Sequence, residues 1–348
     1  MYFGMEASTV VIPICCVASF TLTYLSTPRF MRFLRDAGIV GRDVMKPGKP
    51  PVPEMGGPPV LIGFLFGLFL FTGLNLFVLG TLKALTDLLA SISTVLIISF
   101  FGVFDTLTCL IPVREGVSGF ERYKRRGLSI WMHFLLPLPA AIPLMAVKAG
   151  TTTMDIPFVG VVDLGCLYPL LVVPVALLLV SNATNMLAGL NGLEAGMGFV
   201  MLTTVGVFAL VRGRVEAAAL SLTFAASLLA FLRYNWYPAK IFPGDLNYVI
   251  GAVMVCTSVV GNMEKISVLC FAPWAVEAFL KLSSKFRAES FGILQQDGTL
   301  KPPPGGVHSL THLVMRMGRF REWQVTAILM AVEACVCVLA FLHCLEVI

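Results

Sequence analysis

Residues Ser181–Gly198 read SNATNMLAGLNGLEAGMG, a stretch that places four polar side chains where an apolar helix is expected to end. They are Asn182, Asn185, Asn191 and Glu194. Polar groups at such a position are costly unless they bind something. Asn182 and Asn185 are three residues apart, so they are expected to share one helix face, and the glycines nearby allow a ligand to come close. The alternative is a plain turn between two helices; the polar cluster favours a site for a metal-bound diphosphate.

The composition predicts an all-α, polytopic integral membrane protein with one domain covering residues 1–348. The chain is 57% hydrophobic and 13% charged, whereas soluble proteins are about a quarter charged. The ninth apolar run contains Pro273, Trp274, Glu277 and Lys281 and is expected to be bent or partly interfacial. About ten transmembrane helices are predicted, at 9–28, 57–76, 88–111, 130–147, 165–181, 196–211, 217–232, 245–262, 264–281 and 324–343.

The distribution of Lys and Arg predicts which side of the membrane each loop faces. Twenty of the 25 lie in or directly beside the connections at 29–56, 112–129, 182–195, 233–245 and 282–323. Positive loops stay in the cytoplasm, so these loops are predicted to be cytoplasmic and both termini to lie outside. The net charge of +5 follows from this topology and from attraction to anionic lipids, and it does not imply a nucleic-acid partner.

Two of these loops carry acids next to apolar helices. Residues 42–57 read RDVMKPGKPPVPEMGG, and Lys46 and Glu54 in this stiff loop suggest a wall over a nucleotide, with Glu54 accepting hydrogen bonds from hydroxyls. For Lys46 the alternative is topological anchoring alone. Residues 100–110 read FFGVFDTLTCL, where Asp105 is the acid in an otherwise apolar span and is therefore a functional candidate. The alternative is that Asp105 has no function and that its carboxylate simply reaches water from the end of the helix.

A third acid, Asp245, follows a Pro-Gly turn and precedes the eighth predicted span. Stabilisation by the helix dipole is its structural explanation. The functional alternative is a ligand of Mg²⁺, which prefers one or two carboxylate or amide oxygens and takes its other ligands from water and phosphate. Asp105, Asn185 and Asp245 could supply such a set from three helix ends.

The last loop, residues 301–323, reads KPPPGGVHSLTHLVMRMGRFREW and contains His308, His312 and Arg316. Two histidines in a basic loop suggest recognition of an anionic phosphate group. Topological anchoring of the basic residues and a zinc-binding histidine pair are the alternatives.

Together these motifs resemble the polyprenyl-phosphate N-acetylhexosamine-1-phosphate transferases. The resemblance extends over 46–323, and its most specific parts are NATNMLAGLNGLEAG (182–196), VPEMGG (52–57) and NWYPAKIFPGD (235–245). The similarity is closest to the archaeal and eukaryotic branch, the UDP-GlcNAc:dolichyl-phosphate GlcNAc-1-phosphate transferases. Bacterial phospho-MurNAc-pentapeptide transferases usually have Asp where this chain has Ala188 and Asn191, which favours a simple UDP-amino sugar as the substrate.

The resemblance implies transfer of a sugar 1-phosphate from a UDP-sugar, most simply UDP-GlcNAc, to a polyprenyl or dolichyl phosphate, with release of UMP. It implies Mg²⁺ as the cofactor, with Mn²⁺ as an alternative. The residues that it assigns are Asn185 and Asp245 as metal ligands, Asp105, Asp245 and His312 as catalytic residues, and Lys46, Glu54, Asn182, Asn191, Glu194, His133, His308 and Arg316 as substrate-binding residues.

Two departures from the family pattern leave a second function open. Relatives usually have a second Asp where this chain has Thr106, and many have Lys where it has His133, although Lys124, Arg125 and Arg126 could substitute. The alternative is therefore an inactive or altered paralogue that acts as a membrane scaffold. A lipid carrier would need charges near the middle of the bilayer, and the span interiors have almost none.

The compact chain favours a prokaryotic, archaeal-like cell membrane with a cytoplasmic active site, or the endoplasmic reticulum if the source is eukaryotic. The resemblance also makes a homodimer an expectation.

Overall fold

The protein is built mostly from helices, as its composition predicts. The computed structural model describes residues 2–80, 82, 84–110, 112–113, 124–125, 130–156, 160–244 and 246–346. The α-helices in these ranges are α1 (Tyr2–Asp36), α2 (Gly57–Gly73), α3 (Leu85–Leu110), α4 (Ile130–Leu135), α5 (Ile142–Ala146), α6 (Val173–Met186), α7 (Leu193–Val211), α8 (Val215–Asn235), α9 (Leu246–Gly261), α10 (Glu264–Cys270), α11 (Ala272–Ser283), α12 (Leu310–Met317) and α13 (Glu322–Glu346).

Short irregular helices extend some of these elements. A π-helical segment, Leu74–Leu79, continues α2, another, Tyr168–Val172, leads into α6, and a 3₁₀ turn, Leu138–Ala141, precedes α5. The described strands form two-stranded antiparallel ribbons: β1 (Val40–Arg42) with β2 (Pro51–Pro53), β3 (Pro112–Val113) with β4 (Lys124–Arg125), β5 (Thr153–Ile156) with β6 (Gly160–Asp163), and β7 (Ile293–Leu294) with β8 (Leu300–Lys301).

The prediction of an all-α polytopic membrane protein is confirmed. The apolar helix α9 is shorter than a full span, and α10 and α11 are together long and apolar enough for one span but are bent by 55° relative to each other. This bend confirms the interruption that Pro273 and its charged neighbours predict in the ninth apolar run. Seven helices in the described ranges are long and apolar enough to cross a membrane: Ser8–Asp36, Gly57–Leu79, Leu85–Leu107, Tyr168–Met186, Leu193–Val211, Val215–Asn235 and Glu322–Leu345.

The fourth predicted span, 130–147, differs from the expectation of one continuous helix. It is divided into α4, the 3₁₀ turn and α5. Pro137, Pro139 and Pro143 explain the division, because proline removes a backbone donor and clashes with the preceding helical turn. The total of ten spans, the cytoplasmic loops and the external termini stay predictions.

Close packing of two helices brings the motif of residues 181–198 to the start of α9. A Cβ atom added at Gly251 would lie 2.7 Å from the Cα atom of Ser181, so the backbones of α9 and α6 are in direct contact there. Small residues allow such approach between membrane helices. As a result, the last turn of α6, which carries Asn185, lies beside the first turn of α9, which carries Asn247.

Candidate active site

A cavity of about 650 Å³ lies at the end of the helix bundle where α6 ends and α7 begins. The ends of α3 and α8, the start of α9 and the β1–β2 ribbon complete its wall. Its size is in the usual range for small-molecule sites. The polar side chains among its lining residues are Arg42, Asp43, Glu54, Asp105, Thr106, Asn185, Asn191, Glu194, Asn235 and Asn247.

Five of the residues that the sequence predicts for the site line this cavity. They are Glu54, Asp105, Asn185, Asn191 and Glu194. They come from a loop, α3, α6, the α6–α7 connection and α7, so segments far apart in sequence meet here.

Two predicted residues fall outside what the structure describes. Asp245 is not among the described residues, although Gly244 and Asn247 on either side of it line the cavity. The side chain of His133 is likewise outside the described part, as are the side chains of Lys124, Arg125 and Arg126.

Asn182 does not line the cavity, although it is one helical turn from Asn185. Its amide nitrogen donates to the carbonyl oxygens of Phe134, at 2.9 Å, and Leu178, at 2.7 Å. Asn182 therefore connects α6 to the broken fourth span.

Asn185 is positioned by two residues of α9. Its amide nitrogen donates to the hydroxyl of Tyr248 at 3.0 Å, and its Oδ1 accepts from the amide of Asn247 at 3.4 Å. Asn247 is 3% exposed, and its own Oδ1 has no hydrogen-bond partner among the described residues. Since a buried amide oxygen normally has a partner, the pair provides oxygen atoms suited to a bound cation. Asn247 was missed at the sequence level, where its position two residues after Asp245 is the signal that could have identified it.

Lys46 lies in a buried network and not in the lining of the cavity. Its Nζ is 3.2 Å from Oδ2 of Asp43, donates to Oδ1 of Asn191 at 3.2 Å, and forms a short ion pair with Glu322. The four side chains are each at most 9% exposed. Asp43 and Glu322 were not predicted from the sequence, because both acids contact Asn191, which is 148 and 131 positions away from them along the chain.

Asn191 also makes contacts that position the α6–α7 connection. Its Oδ1 accepts from the backbone N–H of Ala239 at 2.8 Å in addition to Lys46, and its backbone N–H donates to Glu322 at 2.7 Å. Within the part of the chain that the structure describes, its amide nitrogen donates one hydrogen bond, to Asp43 at 3.3 Å. An amide group has two N–H donors, so the second is available to a ligand in the cavity.

The local backbone positions two further carboxylates, those of Glu194 and Glu54. Glu194, in the first turn of α7, accepts a 2.7 Å hydrogen bond from the backbone N–H of Gly189 and so closes the α6–α7 connection. Glu54 lies against Gly41: a Cβ atom there would be 2.6 Å from Oε2 of Glu54. The absence of a side chain at Gly41 therefore leaves room for this carboxylate at the cavity wall.

A second cavity, of about 330 Å³, contains the predicted histidines. His308 and His312 line it together with Arg287 and Glu289, and Phe291 lines both this cavity and the larger one. His312 is 2% exposed, and the backbone groups of Phe291 and Glu289 lie close to its ring. Burial lowers the pKa of His312, and the nearby charge of Lys281 lowers it further. The imidazole is therefore neutral at pH 7. Arg316 is exposed and lines neither cavity.

Glu277, on α11, fixes the segment that carries His312. It is fully buried and accepts hydrogen bonds from the backbone N–H of Leu310, at 2.7 Å, and the hydroxyl of Ser309, at 3.1 Å. Lys281, one turn later, donates to Ser290 at 2.9 Å. A Glu and a Lys four residues apart in an apolar helix were the sequence signal for this connection.

The structure thus defines a polytopic membrane protein with a polar, acid-lined cavity at the ends of its helices. Residues 86–262 match the family described as Glycosyl transferase family 4. The chain belongs to this family and is a transferase, so the family resemblance carried by its motifs is confirmed.

The relatives include proteins from archaea and eukaryotes. A protein of Saccharolobus solfataricus, provisionally named UDP-N-acetylglucosamine–dolichyl-phosphate N-acetylglucosaminephosphotransferase, is 36% identical over 97% of both chains. Proteins with that name are 24% identical in Dictyostelium discoideum, over 91% of this chain and 84% of the relative, and 27% identical in Saccharomyces cerevisiae, over 78% and 66%.

Proposed function

We propose that this protein transfers N-acetylglucosamine 1-phosphate from UDP-GlcNAc to a dolichyl or polyprenyl phosphate and releases UMP. The observation that carries the proposal is the convergence of Glu54, Asp105, Asn185 and Asn191 on one cavity at the ends of membrane helices. A water-soluble nucleotide sugar and a membrane lipid can meet at such a position. The names of the archaeal and eukaryotic relatives support the choice of substrates.

In this reaction an oxygen of the lipid phosphate forms a bond to the β-phosphorus of UDP-GlcNAc. The bond from that phosphorus to the bridging oxygen breaks, and UMP leaves with the electron pair. The lipid phosphate is largely dianionic at neutral pH, because its second pKa is about 6. It needs no protein base to become a nucleophile, so the task of the protein is to bring two anions together in line.

Asn185 and Asp245 are the residues proposed to hold Mg²⁺. The fit is supported by the amide oxygen of Asn185 in the cavity wall and by the buried Oδ1 of Asn247 beside it, which has no partner among the described residues. A divalent cation bound there would neutralise part of the diphosphate charge. Within the described ranges, no group of three or more His, Cys, Asp or Glu side chains is arranged to bind a metal, which suits a cation that takes most ligands from substrate and water.

Each of the other residues is proposed to bind one part of the two substrates. Asp105, near the end of α3, is proposed to position the lipid phosphate. Glu54 accepts hydrogen bonds from ribose hydroxyls, and the free amide N–H of Asn191 binds the uracil. His312, neutral at pH 7, donates one N–H to the diphosphate or the sugar, and His308 lies in the same smaller cavity.

Thr106 follows Asp105 in the cavity wall. Its hydroxyl stands where relatives usually have a second carboxylate, so the protein has one acid fewer near the lipid phosphate. This difference is the observation that favours the second candidate, a catalytically inactive scaffold.

The test is an assay of UMP release with the purified full chain, Mg²⁺, dolichyl phosphate and a panel of UDP-sugars. We expect UMP with UDP-GlcNAc and a loss of about a hundredfold or more in kcat for Asp105→Asn, the usual cost of removing a group that acts in the transition state. Asp36→Asn is the matched control, because Asp36 is exposed at the end of α1 and does not line the cavity. A folded protein that releases no UMP with any sugar would instead establish the scaffold.

The cavity is also proposed to face the cytoplasm of an archaeal-like cell membrane. The Lys and Arg bias of the sequence supports this orientation, because the loops around the cavity carry most of the positive charge. A homodimer stays a prediction.

A further inference from the structure

A third cavity, which we call the far cavity, lies at the opposite end of the helices that line the active-site cavity. It has a volume of about 540 Å³, and its lining includes Arg212, Arg214, Asn262, Glu264 and Lys265. Arg212 follows the last residue of α7, Arg214 precedes α8, and Asn262 follows α9, whereas the active-site cavity lies at the other ends of these three helices. The 19 residues of α7 correspond to about 28 Å of helix, so the two cavities are separate sites.

The far cavity has a concentration of positive charge. Five Lys and Arg residues of the chain lie away from the predicted cytoplasmic connections, and three of them, Arg212, Arg214 and Lys265, line this one cavity. All three side chains are exposed, and none forms an ion pair with a described residue. Like charges around one cavity repel each other, so a bound anion would stabilise the arrangement.

Neighbouring groups position hydrogen-bond donors of the far cavity so that they can bind an anion. The guanidinium group of Arg212 lies over the ring of Phe208, 5.3 Å from its centroid, which restricts its position. Oδ1 of Asn262 accepts a 2.7 Å hydrogen bond from the backbone N–H of Thr151, so its amide nitrogen is left as a donor. Glu264 is the one acid among the described lining residues, and it accepts a short hydrogen bond from the hydroxyl of Tyr168.

The position of the cavity indicates a lipid. It lies at the ends of membrane-spanning helices, which is the depth of the lipid headgroups. Apolar side chains within two residues of its lining residues in the sequence are exposed, namely Val211 at 57%, Val268 at 70% and Leu342 at 50%. Acyl chains can pack on such side chains while the phosphate group contacts the cations, and basic pockets between membrane helices bind anionic headgroups in this way.

We propose that the far cavity binds the phosphate headgroup of an anionic membrane lipid in the leaflet opposite the active site. Arginine suits this ligand, because its planar fork donates two hydrogen bonds to one phosphate group. The bound lipid would connect the α7–α8 turn to the start of α10, where Lys265 lies.

The test is a ligand titration of the delipidated full chain in a neutral detergent, followed by thermal unfolding. A ligand that binds the folded state raises Tm in a saturable way, which gives an apparent Kd. The ligands are dioctanoyl phosphatidylglycerol, dioctanoyl phosphatidylcholine and inorganic phosphate. We expect tight binding of the anionic lipid only, weaker by about fivefold for each charge removed and about a hundredfold for R212Q/R214Q/K265Q.

Two variants separate charge from folding. K148Q removes an exposed cation close in sequence to Thr151 that does not line the cavity, and its affinity should stay within about twofold. R212K/R214K keeps the charges and should retain most of the binding. Unchanged phosphatidylglycerol affinity in the triple variant would overturn the proposal. Equal binding of inorganic phosphate, lost in the triple variant, would replace the lipid with a soluble anion. These titrations need no enzymatic activity and are independent of the proposed reaction.

Discussion

The buried network around Lys46 allows a test that separates substrate binding from structural positioning. Lys46→Met keeps the approximate length of the side chain but removes its charge, leaving the carboxylates of Asp43 and Glu322 buried at 4% and 2% exposure. At the 3.2 Å separation of Lys46 and Asp43, the gross attraction is about 5 kcal/mol at an effective dielectric constant of ~20. Removing one partner of a buried ion pair costs about 3–5 kcal/mol, because the remaining charge is uncompensated.

The assay is thermal unfolding of the purified protein. At about 2 °C per kcal/mol, the lower end of the range for large domains, Lys46→Met should lower Tm by about 6–10 °C. Adding Glu322→Gln should recover part of this loss, because it removes one uncompensated charge and keeps an acceptor for the backbone of Asn191. Lys49→Met is the matched control, because Lys49 is exposed on the same loop, and its Tm should stay within about 1 °C.

The result that would refute this reasoning is an unchanged Tm for Lys46→Met together with a raised KM for UDP-GlcNAc. Lys46 would then contact the substrate directly, as the sequence suggests, and the ion pairs would contribute little. Trypsin cleavage of the loop at 37–56 is the second measurement, because the network could open locally without global unfolding. Protection of this loop equal to that of the unsubstituted protein would contradict a positioning role.

Three further predictions concern the active-site cavity and the smaller cavity that contains His312. Asn185→Ala should raise the Mg²⁺ concentration for half-maximal activity at least tenfold, and a Mg²⁺ titration that matches the unsubstituted protein would exclude Asn185 as a ligand. Gly41→Ala should raise KM for UDP-GlcNAc several-fold by displacing Glu54. Gly57→Ala is the control and should leave KM unchanged, because nothing lies within 4 Å of the added Cβ. Equal KM values for the two variants would show that Glu54 does not belong to the nucleotide site. Because the pKa of His312 is lowered in the folded protein, the unfolded chain takes up this proton at a higher pH, and stability should fall as pH decreases below about 6.5. His312→Gln should flatten this part of a profile of Tm against pH. Parallel profiles for the two proteins would refute the lowered pKa.

The sequence predicted the membrane fold and about half of the candidate site, for a physical reason. Asp105 and Asn185 stand out because a polar group near the end of an apolar helix is costly and therefore visible locally. The bend near Pro273 was visible for a similar reason, because proline disfavours a helix interior and Glu277 and Lys281 interrupt the same apolar run, whereas α1 continues through Pro13 and Pro28. The prolines of 130–147 carried the same signal, but high hydrophobicity concealed the break.

Residues with distant partners could not be identified in this way. Glu322 contacts Lys46 across 276 positions of the chain, and Asn247 contacts Asn185 across 62. In the sequence Glu322 is one charge in a basic loop and Asn247 one amide at a helix start. Only the packing of α6 on α9 and of the first loop on α13 shows that they belong to the site.

The sequence by itself determined that this protein is a helical membrane transferase, because hydrophobic length and the motif of residues 181–198 are local properties of the chain. The tertiary structure decided which polar groups face a ligand and which bind each other. It directs Asn185 to the cavity and Asn182 to the fourth span, and it buries Lys46 among Asp43, Glu322 and Asn191. The physical reason is that a buried polar group must find a partner, and the partner is set by how the helices pack.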